Sequence, residues 1–371
     1  MLEKLYSYQF RNLSPLEIEF SPHINIFTGA NGQGKTNLLE AIYLLSRGSS
    51  FRTNREEDLI QWDCEGYYLK GDITFNAGEK RIEIKSSPGN KRALVDGVSL
   101  DKLSELTGML SLVIFVPDDL QLVKAGPSRR RRFLNNEIEQ VSSYYGYQLI
   151  RYKKIIRERN NLLKMGKRCI DQDLLKVMDR QLVLYGAKIL KKRNEIVNKL
   201  TPLARLMNRR LTDGKEDLSL SYESSLQLDN NKEDEEEIRN IFIASLKEKR
   251  EEEFRRGYTL LGPHRDDLKI SVNGKCLKTF GSQGQQRTGA IALKLAEIEL
   301  IKSEIAEYPL LLLDDVFSEL DSSRSRLIRN LIKDKIQSFI TSTDFHTLKD
   351  MGYHSNYFRV KSGRINNIRK E

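Results

Sequence analysis

The chain has 371 residues, 39% of them hydrophobic, with 62 Lys and Arg against 52 Asp and Glu and a net charge of +10. That length buries a substantial core and fits two domains or one domain with a large insertion, and the apolar fraction excludes a wholly disordered chain. The three cysteines (Cys64, Cys169, Cys276) are too widely spaced for a disulfide framework or a CxxC metal knuckle, no apolar run is long enough to span a bilayer, and MLEKLYSYQF has no apolar signal region, so a basic cytoplasmic protein without a membrane partner is expected.

The first 120 residues alternate at strand period: Leu16–Phe20, Arg81–Lys85 and Leu110–Val116 read as strands, with turns at Asn31-Gly32, Pro88-Gly89-Asn90 and Asp96-Gly97. Between them, residues 29–36 read Gly29-Ala30-Asn31-Gly32-Gln33-Gly34-Lys35-Thr36, a full match to G-x-x-x-x-G-K-[ST]. The strand HINIFT precedes this loop and a helix opening at Asn37 follows it. Glycines let successive N–H groups curl toward phosphate oxygens, and the helix N-terminus adds its positive end. Lys35 is expected to reach the β- and γ-phosphates of ATP, and the Thr36 hydroxyl to ligate Mg²⁺.

From about 128 to 256 the spacing is helical, with runs near 149–163, 172–199 and 238–256 and an acidic turn or helix start at Asp229–Glu237. Positive charge concentrates here. Arg129, Arg130, Arg131 and Arg132 are consecutive, and Arg151, Lys153, Lys154, Arg157, Arg159, Lys164, Lys167 and Arg168 face only Glu158. Lys188, Lys191, Lys192 and Arg193 add to them. Such density on helices reads as a track for a DNA backbone, with Arg129–Arg132, Arg151, Lys153, Lys154 and Arg157 as its candidate contacts. Tyr144, Tyr145, Tyr147 and Tyr152 either stack on bases or pack between helices. No base-reading module is visible, so binding is expected to be sequence-independent and salt-dependent.

Strand character returns at Leu268–Val272, Leu310–Leu313, Gln337–Thr341 and Tyr357–Val360. Leu310–Leu313 ends in Asp314 and Asp315, the form of a Walker B strand: Asp314 joins the Mg²⁺ shell and Asp315 orients an attacking water. Upstream, Ser282-Gln283-Gly284-Gln285 before an amphipathic helix resembles the signature of ABC-type ATPases, and Ser318-Glu319-Leu320-Asp321 resembles their D-loop. In that superfamily the signature caps the γ-phosphate held by a partner subunit, which implies an ATP-driven head-to-tail homodimer. The fold expected is α/β + α: an ABC-type head of mixed sheet and helices (1–125 with 257–371) carrying a helical insertion, a lid or arm (126–256).

Three further segments resemble the RecF recombination mediators: Tyr8–Leu13, Pro117–Leu134 with its arginine run, and Gly262-Pro263-His264-Arg265-Asp266-Asp267. The resemblance covers nearly the whole chain. It implies Arg11 and Asn12 at the nucleotide, a weak DNA-stimulated ATPase with a role in DNA replication, repair and the SOS response, gapped DNA as target, and RecR and RecO as partners. Asp315 stands where many ABC ATPases have Glu, which implies slow hydrolysis. A Thr, not a His, follows the strand at Phe339-Ile340, and Asn135 replaces the usual Asp after Phe133-Leu134. Gln121 is a candidate for the Q-loop glutamine, Arg52 for a phosphate contact or a salt bridge, and Arg265 for a γ-phosphate or interface contact. An ATP-dependent nuclease, or another SMC-like ATPase with different partners, is the competing reading. A transporter subunit and a small-molecule kinase fit less well, lacking a place for the long insertion and for the signature respectively.

Overall fold

The computed structural model describes residues 1–76, 78–167, 171–226, 228, 234–333, 335–344 and 355–368. It divides into two compact units, Met1–Leu120 with Ile301–Glu371, and Gln121–Leu300. The second unit is thus wider than the segment 126–256 read as an insertion.

In the first unit, β1 (Leu2–Tyr8) and β2 (Leu16–Glu19) pair antiparallel. β3 (Ile24–Thr28), buried throughout, leads through the glycine loop into α1 (Lys35–Arg47). β4 (Tyr67–Phe75), β5 (Gly78–Ser87), β6 (Asn90–Val95) and β7 (Val98–Ser99) extend the β1–β2 pair into one antiparallel sheet, ordered β2-β1-β4-β5-β6-β7. β4 alternates buried and half-buried residues, as a strand with one face on a core does. The chain then enters the central sheet at β8 (Leu112–Phe115) and leaves the unit.

In the second unit, α2 (Pro127–Val141), α3 (Ser143–Lys164), α4 (Gln172–Leu211) and α5 (Glu235–Arg256) supply most of the mass. Each of the last three starts at a side-chain cap, from Ser142, Asp171 and Asp234. α5 carries Glu235–Glu237 in its first turn and Arg255 and Arg256 in its last, complementing the helix dipole, and ends at Gly257 with φ 73°. The acidic segment read at 229–237 thus becomes a helix start from Asp234; residues 229–233 lie outside the described set.

One strand was hidden in the helical reading. β9 (Leu218–Glu223) pairs with β10 (Asp267–Val272), which pairs with β11 (Lys275–Cys276). Leu218, Leu220 and Tyr222 are buried on β9, as are Leu268, Ile270 and Val272 on β10. Two strands with one apolar face each need one another, and this pairing holds 267–276 with the helices rather than with the head. α6 (Leu277–Phe280) and α7 (Gln283–Ile305) follow, α7 running on into the first unit.

The chain completes the central sheet with β12 (Leu310–Asp314), α8 (Ser322–Ile332), β13 (Ser338–Ser342), β14 (Ser355–Lys361) and β15 (Arg364–Ile368), ordered β15-β14-β3-β13-β12-β8. All its pairings are parallel except β14–β15. β3, β12 and β13 are buried at every position, as expected of parallel strands covered on both faces. Leu38, Leu39, Ile42 and Leu45 of α1 share one apolar core with Leu5, Leu69 and Ile84 of the antiparallel sheet and with Leu312, Phe339 and Phe358 of the central one. Both sheets thereby clamp the helix that opens at Lys35. This mixed-sheet architecture is the head expected.

Gln337 fastens the start of the chain to that head. Its side-chain oxygen accepts from Leu2 N (2.7 Å), and its Nε2 donates to Leu2 O (2.7 Å) and Ser21 O (3.0 Å), all buried. Gln337→Leu leaves these backbone groups unpaired, so the unfolding free energy is expected to fall by about 2–3 kcal/mol. Urea denaturation checks this: the midpoint drops at unchanged slope.

Candidate nucleotide-binding site

Two glycines of the loop after β3 sit where a side chain would strike a neighbour. A Cβ on Gly29 would lie 2.3 Å from Val360 O, and one on Gly34, at φ 111°, 2.9 Å from Asn12 Oδ1. The backbone of the cradle is therefore packed from outside while Ala30, Asn31 and Gly32 stay exposed. Lys35 is buried and its Nζ donates to Gly29 O (2.6 Å) and Ala30 O (2.9 Å). Burial lowers its pKa, with Asp315 and Asp314 acting in opposition. The cation that would bind phosphate is held over the loop by weakly basic carbonyls.

Thr36 and Asp314 come from opposite ends of the chain and meet at 3.0 Å, the Thr36 hydroxyl donating to Asp314 Oδ1. The same oxygen accepts from the Thr341 hydroxyl at 2.7 Å. The parallel register that sets Asp314 beside Thr341 makes this possible. Two hard oxygens from Thr36 and Asp314 suit a magnesium ion. Asp315 takes a left-handed φ of 50°, and its N–H donates to Thr341 Oγ1 (2.9 Å). Its Oδ1 is buried without a hydrogen-bond partner, and burial raises its pKa although the Thr343 N–H opposes the shift. A carboxylate with an orphaned oxygen and raised basicity is suited to accept a proton from water.

Supporting contacts that the linear motif does not announce complete the cradle. Gln33 Oε1 accepts from Ser362 N (2.6 Å) and Gln33 O from Gly363 N (2.9 Å). The turn between β14 and β15 thus grips the loop, and Gly363 (φ 75°) is required there because a Cβ would lie 1.9 Å from Asn12 O. Ser362-Gly363 is legible in sequence as a turn, but nothing local says what it touches. Glu40, fully buried on α1, accepts bidentately from Arg11 (2.9 and 2.8 Å) and from Arg52 (3.3 Å), and Ser50 also donates to it. Arg11, expected at the nucleotide, pairs with this buried carboxylate in the structure, and Arg52 shares it while also donating to Asn37 Oδ1 (2.7 Å). Asn12 stays at the loop, its Nδ2 donating to Gly32 O (3.3 Å) and its Oδ1 accepting from Asn37 (2.7 Å).

The signature residues belong to the second unit. Ser282 Oγ accepts from Gln285 N (3.2 Å) while Gln285 Oε1 accepts from Ser282 N (2.9 Å), a reciprocal cap that opens α7. Ser282, Gln283 and Gly284 are exposed. Gln121, the Q-loop candidate, is exposed at the end of the turn Pro117–Gln121.

The basic run separates into two groups. Arg130 is buried, with Nε and Nη2 on Asp267 (2.8 and 2.6 Å) and Nη1 on Val123 O and Ala125 O. Arg131 donates to Asp266 O (2.8 Å) and Arg129 is half-buried, so neither is a plain surface charge. Arg159 bridges Asp179 (2.9 Å), Glu253 (2.5 Å) and Thr259 (2.7 Å) in the core. Arg193 is equally enclosed, donating to Tyr145, Tyr222, Pro263 O and Asn135. Asn135 Oδ1 also accepts from Tyr145, so one amide oxygen serves both donors. Arg130, Arg159 and Arg193 are thus corrections to the DNA track. A cation inside a protein needs anions and carbonyls, and charge counting along a helix cannot see which face holds them. Arg132, Arg151, Lys153, Lys154 and Arg157 remain exposed. Tyr145 and Tyr152 are core, whereas Tyr144 and Tyr147 are 58% and 49% exposed, with Lys188 and Arg151 over their rings. Arg168 and His346 lie outside the described residues.

Among the described residues no three His, Cys, Asp or Glu converge as a metal site, and no helix is long and apolar enough to cross a membrane. His264 is instead a half-buried residue held by two hydrogen bonds. The Thr259 carbonyl can only accept, so Nε2 carries the proton (3.2 Å) and Nδ1 accepts from the Tyr152 hydroxyl (2.8 Å). Arg265 donates to the same carbonyl (3.2 and 3.0 Å).

Residues 1–366 match the family described as RecF/RecN/SMC N terminal domain. A DNA replication and repair protein RecF from Halothermothrix orenii is 46% identical over 367 residues, covering 98% of each chain. A solved structure of the recombination mediator protein RecF with ATP, in the RecFOR pathway, superposes with a TM-score of 0.92 at 36% identity, covering 99% of this chain and 97% of that one. The Smc head domain of Pyrococcus furiosus is similar in fold alone, with a TM-score of 0.57 at 16% identity over 99% of this chain and 95% of that one.

Burial, helped by nearby arginines, pushes the His264 pKa from 6.5 down to about 4. The unfolded chain takes up this proton below about pH 6.5 and the folded chain only near 4, so stability present above 6.5 is lost as pH falls through that window, by about 3 kcal/mol. Urea unfolding of wild type and His264→Gln at pH 7 and 4.5 is expected to show the gap between them narrowing on acidification; a constant gap contradicts the assignment.

Proposed function

The chain belongs to the RecF family, and from that premise we propose that it is an ATP-dependent DNA-binding switch of cytoplasmic recombinational repair, acting as a homodimer with RecO and RecR as partners. It is an ATPase of the RecF/RecN/SMC type. The observation that carries the reading is the convergence of Thr36, Asp314, Thr341 and Asp315 beside the Lys35 loop.

Mg-ATP, when bound, would supply the triphosphate and a cation that offsets the charge developing on it. Lys35 exchanges its Gly29 and Ala30 carbonyl partners for phosphate oxygens. Thr36 and Asp314 offer the cation their hydroxyl and carboxylate, and Thr341 keeps Asp314 in register. Asp315 accepts the proton of the attacking water; its short side chain, placed by a left-handed backbone, fits slow turnover stimulated by DNA. Ser282 and the N-terminus of α7 cap the γ-phosphate held by a second copy, as a helix end suits an anion. ATP then favours the dimer because only the γ-phosphate bridges two copies, and hydrolysis releases it. Arg132, Arg151, Lys153, Lys154 and Arg157 are exposed where a DNA backbone can meet them.

Sedimentation velocity tests the switch. Wild type is expected to dimerise with ATP and not with ADP, and Lys35→Met with neither; a wild-type monomer under every condition refutes the sandwich. For DNA, Arg151, Lys154 and Arg157 lie on one helical face. Replacing all three with Ala is expected to flatten the slope of log affinity against log salt by about 3, read by fluorescence anisotropy on gapped duplex.

A further inference from the structure

Phe280 ends α6, two residues before Ser282, and its side chain is 70% exposed. The turn that presents it is pinned from within. Leu277 is buried, and the buried Gln286 donates to Leu277 O (3.1 Å), Lys278 O (3.3 Å) and Gly281 O (3.1 Å). A Cβ on Gly281 would lie 2.5 Å from Leu277 O, so the chain can close this way only with glycine there. An aromatic ring is thus held in water on a turn whose carbonyls converge on one buried amide group, although large apolar side chains gain most from being covered.

We propose that Phe280 is a docking anchor for a second copy of this chain. The inference rests on the nucleotide-sandwich reading and deepens it. Two residues of extended chain span at most about 7 Å. Phe280 and Ser282 are both exposed on one turn, so a surface that brings its bound triphosphate to the Ser282 hydroxyl passes within that reach of Phe280. Ser282 supplies the polar contact to the nucleotide, and Phe280 beside it supplies apolar area against the protein that holds the nucleotide. Aromatic side chains on a fixed backbone carry disproportionate binding energy because little entropy is lost when they are covered. In a two-fold pair the same patch is used twice, so its loss counts twice.

The test is sedimentation velocity of wild type, Phe280→Ala and Phe280→Tyr with a slowly hydrolysed ATP analogue, beside binding of a fluorescent ATP analogue at dilutions where the chain is monomeric. Phe280→Ala is expected to weaken the dimer by at least about 10-fold, the scale of one buried side chain, with nucleotide binding to the single chain unchanged. Phe280→Tyr, which keeps the ring, is expected to dimerise within about 3-fold of wild type. Wild-type dimerisation by Phe280→Ala overturns the anchor and leaves the sandwich standing. Equal loss in both variants, or loss of nucleotide binding by Phe280→Ala, overturns it as a lesion of the turn. Normal dimers with weakened single-stranded DNA binding assign the ring to a base instead and also overturn it. A wild-type chain that stays monomeric removes the sandwich and the anchor together.

Discussion

One carboxylate oxygen organises the head. Asp314 Oδ1 accepts from Thr36, at the start of α1, and from Thr341, on the neighbouring strand. Neither hydroxyl is close to Asp314 in sequence. They meet because β3, β13 and β12 lie side by side in parallel register, which delivers three strand ends to one edge of the sheet. Parallel sheets collect loops at their carboxyl ends, so chemistry gathers there. The apolar filling of these strands fixes the register, and a slip by one residue would turn Asp314 away from Thr36.

Around this oxygen, rigidity comes from close backbone approaches and buried charge. Gly29, Gly34 and Gly363 each sit where a side chain would strike a neighbour. Glu40 ties Arg11, Ser50 and Arg52 to α1, so three segments share one buried anion. Removing one partner from such a group leaves an uncompensated charge, which costs far more than an exposed ion pair contributes. The cradle is thus held in shape by groups that need not touch a nucleotide themselves.

The helical unit uses arginine for the same purpose. Arg159 and Arg193 stand inside, the first on three partners and the second on four drawn from several elements, and Arg130 locks α2 to β10 through Asp267. The exposed positive charge is consequently smaller than a count of Lys and Arg implies, and part of what remains lies on α3. Tyr144 and Tyr147 on that face sit under cations rather than against the core.

The amino-acid sequence by itself determined the head, the glycine loop with its strand and helix, the buried strand that ends in Asp314 and the turn at Ser282, because each depends on residues adjacent in the chain or on a period of 2 or 3.6. It could not decide the status of individual charges. β9 lay unseen because its alternation is short and becomes decisive only against β10, 44 positions away at Asp267 and Glu223. Arg11, Arg130, Arg159 and Arg193 read as ligands or as surface charge because a guanidinium's partner is chosen in three dimensions. Gln33 with Ser362, Glu40 with Arg11, and Asp314 with Thr36 and Thr341 were decided only by tertiary structure, since burial and long-range register, not local pattern, set which polar group faces which.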